Sequence, residues 1–142
     1  MVSDVLHLVS SDALQRRVQI ERDLTAAEPF VSADKVQLQQ VLLNLILNGM
    51  DAMSDMAQNR KLTIRTAMVD GRRVEIAVVD NGSGIPTDKI SHVFDLFFTT
   101  KPHGMGLGLA IARSIIESHG GQLLAENNRS GGATFRCQLP SL

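Results

Sequence analysis

The chain has 142 residues, a formal net charge of -1 and 44% apolar side chains, enough to bury one core as a single domain without disulfides or metal. A near-neutral balance with scattered Lys and Arg excludes a basic stripe for nucleic acid. No apolar run approaches the roughly 20 residues that cross a bilayer, and no signal-peptide pattern opens the chain, so a cytoplasmic domain without membrane contact is expected.

In chain order, residues 3–15 carry Val5, Leu6, Val9 and Leu14 at helical spacing and read as a first helix. Residues 17–24 alternate through Val18, Ile20 and Leu24 as a strand. Pro29 then breaks the chain, and Phe30 and Val31 fit a short strand. Asp34 followed by Gln37 resembles a capping box for a central helix over 34–56, ended by Asn59. On that helix Leu38, Leu42, Leu45, Ile46 and Met53 share one face, while Gln37, Gln40, Asn44, Asn48 and Asp51 form a polar seam on the other. A buried amide needs partners, so two asparagines one turn apart imply either an internal polar network or a bound polar ligand.

A hairpin follows, with Leu62, Ile64, Thr66 and Met68 on one face, Asp70-Gly71 as the turn, and Val74, Ile76, Val78 and Asp80 in step. That parity turns a carboxylate toward the core or a pocket beside it. Residues 81–105 form a long loop with a short helix, and loops of that length inside a compact domain are usually functional. Residues 107–118 return to helix, closed by His119-Gly120-Gly121 as a glycine cap. Two strands over 122–126 and 133–139 end the chain, and Cys137, the single cysteine, alternates with Phe135 and Leu139 as a small core side chain. Strands in adjacent pairs argue for a mixed sheet covered by helices on one face, an α/β two-layer sandwich with about five strands and about three helices.

Several constellations point to chemistry. Asp80-Asn81-Gly82-Ser83-Gly84-Ile85-Pro86 fits neither a calcium loop nor a dinucleotide fingerprint, and leaves a glycine turn with an inward carboxylate. Gly104, Gly106 and Gly108 open a helix at alternate positions, where backbone N–H groups and the helix dipole favour an anion. Thr99, Thr100 and Lys101 precede them, and the lysine suits either a terminal phosphate or plain solvent. One asparagine amide suits Mg²⁺, which prefers oxygen ligands and keeps waters and phosphates. Together these outline a nucleotide site.

The segments Asn44-Leu45-Ile46-Leu47-Asn48-Gly49, Asp80-Asn81-Gly82-Ser83-Gly84-Ile85, Phe94-Asp95-Leu96-Phe97-Phe98-Thr99-Thr100-Lys101 and Gly104-Met105-Gly106-Leu107-Gly108-Leu109 resemble, in order, the N, G1, F and G2 boxes of bacterial sensor histidine kinases. Gly131-Gly132-Ala133-Thr134-Phe135 resembles the closing motif of the same domain, and the oxygen- and nitrogen-sensing kinases are closest in look. The resemblance implies a Bergerat fold with a mobile ATP lid over 86–105, residues 1–142 as one ATP-binding catalytic domain, and 1–10 as a candidate linker end. It implies ATP and Mg²⁺ as ligands. Asp80 would accept from the adenine amine, Gly82, Gly84 and Ile85 would line the base, and Asn48 would hold the metal. Gly104, Gly106, Leu107 and Gly108 would wrap the phosphates, with Lys101 reaching the outer ones. Asn44 stands where related ATPases carry a glutamate base, which suits transfer over hydrolysis.

Three departures from the pattern stand out: Gly49 for the usual alanine, Asp51 for a basic residue near the phosphates, and Ala133 for Ser or Thr. None of His7, His92, His103 and His119 is followed by the acid of a phosphoacceptor motif. The expected partners are therefore the dimerisation and phosphotransfer helices of a full-length kinase and a response regulator, with a monomer expected in isolation. The lid phenylalanines suit core or docking, with docking favoured. The alternatives are a nucleotide-binding scaffold without transfer and an ATPase of the chaperone or mismatch-repair type.

Overall fold

The computed structural model of the chain describes residues 2–24, 34–95 and 107–141. The expected strand at Phe30 and Val31, Thr99, Thr100, Lys101, His103, Gly104 and Gly106, and the lid beyond residue 95, lie outside them. The elements are α1 (Val2–Leu8), α2 (Ser10–Gln15), β1 (Val18–Asp23), α3 (Lys35–Ala52), β2 (Arg60–Val69), β3 (Arg73–Asp80), a 3₁₀ turn (Ile90–His92), α4 (Gly108–Ser118), β4 (Gln122–Asn127) and β5 (Ala133–Pro140). Five strands form one mixed sheet in the order β1-β2-β3-β5-β4, with β1 parallel to β2 and the other pairs antiparallel. The two-layer α/β expectation holds.

The hairpin register explains how a carboxylate comes to face inward. Leu62 pairs with Asp80, Ile64 with Val78, and Val78 with Phe135, and all five are buried. Asp70 and Gly71 both have positive φ (50° and 74°), as the turn chemistry requires. Helix α3 lays Leu38, Leu42, Leu45, Ile46 and Met50 into the same core at 5% exposure or less, each worth roughly 1.5–3 kcal/mol of burial. The opposite sheet face is polar, with Arg136 bonded to both Glu75 and Glu126.

Four expectations are corrected. The first helix is two, because the buried stripe Val2, Val5, Leu6, Val9 and Ala13 bends at Val9, and Leu14 is 81% exposed. Helix α3 ends at Ala52, not in the span 53–59, because the Ala52 carbonyl accepts instead from Ser83 N–H in the loop after β3. Asp34 does cap α3 by accepting from Gln37 N–H, but its own N–H donates to Nε2 of His119, so the reciprocal half of a capping box is absent. The fourth is Phe94, which belongs to the core edge: it meets Phe135 edge to face at 6.1 Å, and Arg113 lies over its ring. Gly120, with φ of 76°, and Gly121 close α4 as the glycine cap expected. No helix among the described residues is long and apolar enough to cross a membrane.

Candidate functional site

Asp80 ends β3 at 2% exposure and is the one buried carboxylate among the described residues. Its Oδ1 accepts the backbone N–H of Gly82 at 2.9 Å and of Ala133 at 3.2 Å. No buried side-chain oxygen among the described residues lacks a partner, and no donor among them meets Oδ2, so this second oxygen opens onto the site. Burial pushes the carboxyl up from its ordinary range, against the two N–H groups, which pull it down. The group is an acceptor with one lobe fixed by the protein and one available.

Close packing sets the loop after Asp80. A side chain at Gly82 would place Cβ 2.4 Å from the Ala52 carbonyl oxygen, and one at Gly132 would place it 2.1 Å from the Asp80 carbonyl, so only glycine lets these backbones meet. Gly49 faces Asp80 from α3: a Cβ there would lie 3.8 Å from Oδ2 and press on Leu62. The helix continues unbroken through it.

The polar seam divides. Asn44 donates Nδ2–H to the Gly108 carbonyl at 3.0 Å and accepts from Gln40 at 2.8 Å, so its amide is spent on joining α3 to the first turn of α4. Asn48, one turn on, is partly buried and meets no hydrogen-bond partner among the described residues. Asp51, at the position where the family pattern carries a basic side chain, accepts from Nη1 of Arg16 at 2.6 Å. Leu107 and Gly108 stand at the start of α4, where Ile111 N–H bonds to the Leu107 carbonyl.

The structure thus brings together Asp80, Gly82, Gly84 and Ile85, and joins Asn44 of α3 to Gly108, with Asn48 one turn further along the same helix. Two residues were missed by the sequence reading. Asn128 donates its amide to the Asp80 carbonyl at 3.0 Å, and Asn127 bonds the backbone of Ile85 through both ends of its carboxamide. The only sequence signal was a polar turn with two adjacent amides.

Residues 33–142 match the family described as histidine kinase-, DNA gyrase B-, and HSP90-like ATPase. The sensor protein FixL of Bradyrhizobium diazoefficiens is 47% identical over 129 residues, covering 91% of this chain and 25% of FixL. This chain spans about a quarter of the length of the curated relatives it matches. The nucleotide-free catalytic domain of histidine kinase ThkA superposes with a TM-score of 0.85 at 31% identity, covering 98% of this chain and 90% of that one. Histidine kinase ThkA in complex with response regulator protein TrrA gives 0.82 at 29% identity, over 99% of this chain and 39% of that one.

Proposed function

We propose, for a chain that belongs to the histidine kinase-, DNA gyrase B- and HSP90-like ATPase family, that it serves as the catalytic and ATP-binding domain of a two-component sensor histidine kinase. Residues 1–142 act as one cytoplasmic, monomeric domain with 86–105 as the lid. It passes the γ-phosphoryl group of ATP to a histidine on a separate dimerisation domain, for relay to a response-regulator aspartate. The P–O bond to the β-phosphate breaks, a P–N bond to the unprotonated imidazole nitrogen forms, ADP leaves with the bond's electron pair, and the other ring nitrogen releases its proton to water.

The observation that carries this reading is the half-occupied carboxylate of Asp80. With Oδ1 held by two N–H groups, Oδ2 is positioned for one donor, and the exocyclic amine of adenine is such a donor. Gly82, Gly84 and Ile85 pass beside the base. The N-terminus of α4 at Leu107 and Gly108, preceded by Gly104 and Gly106, offers backbone N–H groups to phosphate oxygens, and Lys101 reaches the outer ones.

Asn48, which meets no hydrogen-bond partner among the described residues, would hold Mg²⁺ through its amide oxygen, and the ion would supply charge neutralisation at the phosphates. Asn44, an amide already bonded at both ends, cannot serve as a base for water. The chain's own contribution is therefore positioning.

The test mixes this chain with labelled ATP, Mg²⁺ and the dimerisation domain of its parent protein. An acid-labile phosphoprotein on that domain is expected. Metal-independent ATP binding without transfer would replace this reading with a nucleotide-binding scaffold, and steady hydrolysis abolished by Asn44→Ala would replace it with an ATPase.

A further inference from the structure

We infer that Asn127 is a positioning residue for the nucleobase: it fixes the far end of the loop over residues 82–85 and thereby sets affinity for the adenine ring. The inference rests on the reading of Asp80 as the base acceptor.

The loop has three anchors. Its start is held by Gly82 N–H on Asp80 and by Ser83 N–H on the Ala52 carbonyl. Its end at Ile85 is held by one side chain 42 residues away: Ile85 N–H donates to Oδ1 of Asn127 at 2.7 Å, and Nδ2 of Asn127 donates to the Ile85 carbonyl at 2.8 Å. A carboxamide presents donor and acceptor in one plane, so it pairs with a single residue as a neighbouring antiparallel strand would. The reversed amide would set donor against donor and acceptor against acceptor, so only one orientation fits.

Asn127 is the last residue of β4 and pairs with Ala133, whose N–H holds Oδ1 of Asp80. The adjacent Asn128 bonds the Asp80 carbonyl and accepts from Thr134. One strand end therefore carries the reference frame for both sides of the base: the carboxylate on one side and the glycine loop on the other. Among the described residues the side-chain hydrogen bonds of Asn127 go to the Ile85 backbone and not to Asn48, Leu107 or Gly108, so its removal should act on base affinity.

The experiment measures ADP affinity by calorimetry, well below the melting temperature, for the intact chain and for Asn127→Ala, Asn127→Asp and Asp80→Asn. Losing two neutral hydrogen bonds should weaken ADP about tenfold in Asn127→Ala. Asn127→Asp keeps the acceptor for Ile85 N–H but sets a carboxylate oxygen against the Ile85 carbonyl, so it should weaken ADP at least as much as the alanine variant. It also carries the test should the alanine variant fail to fold. A purely structural role predicts a lower melting temperature with wild-type ADP affinity, and that result overturns the inference. Lost affinity in Asp80→Asn with none lost at Asn127 overturns the inference and leaves the site reading standing, whereas unchanged affinity in all variants overturns both.

Discussion

Ala133 donates its backbone N–H to Oδ1 of Asp80 across 3.2 Å, joining the first residue of β5 to the last residue of β3. Together with Gly82 it stabilises a carboxylate that burial disfavours, and burial wins: the folded chain holds this proton more tightly than the unfolded chain, whose ordinary value is 3.8. The contribution to stability is thus fullest below that value and is lost as pH rises through the folded-state value. The Asp80→Asn variant keeps an acceptor for both N–H groups without the charge. Wild type should lose stability relative to it on going from about pH 4 to about pH 8. Melting temperatures of both chains without nucleotide measure this, and a gap independent of pH would contradict it.

The tie between Asn44 and Gly108 makes α3 a brace for the first turn of α4. Asn44→Ala removes this bond and the one from Gln40, and should destabilise the chain by about 1–2 kcal/mol. Urea unfolding reads the loss as a lower midpoint with an unchanged slope. An unchanged midpoint would mean that the brace carries nothing.

Arg16 and Asp51 pair at 2.6 Å, but their side chains are 39% and 31% exposed. Screening at that exposure limits the pair to about 0.2–1 kcal/mol. A double-mutant cycle with Arg16→Met and Asp51→Asn should give a coupling in that range at low salt, falling toward zero near 1 M. A larger coupling that resists salt would show a pair more buried than this geometry allows.

Cys137 is 2% exposed on β5, and burial, with the nearby Glu75 charge adding to it, pushes its thiol up to about 12. The native chain should therefore resist thiol-modifying reagents at neutral pH, with labelling that tracks global unfolding as urea is added. Rapid labelling of the folded chain would place this residue outside the core.

Much of the frame follows from local rules that tertiary packing did not override. Alternation from Val74 to Asp80 sufficed to turn the carboxylate inward, because a strand has a period of two and Val78 is already in the core. The Asp70-Gly71 turn, the Asp34 cap and the glycine close after α4 were legible for the same reason. The end of α3 was not, since it depends on Ser83 taking the Ala52 carbonyl. The bend at Val9 and the exposure of Leu14 also escaped, because either register of a short helix leaves apolar residues on both faces. Within the site, the contacts of Asn127 and Asn128 join residues 42 and 48 apart in sequence, and no local pattern encodes them.

The central claim is that Asp80 presents one free oxygen to the adenine amine, and calorimetry of ADP binding to Asp80→Asn tests it most directly. The variant should stay folded, with both Oδ1 hydrogen bonds available, yet set an amide N–H₂ against the base amine and lose affinity by at least about a hundredfold. Wild-type affinity for ADP in a folded Asp80→Asn chain would contradict the account.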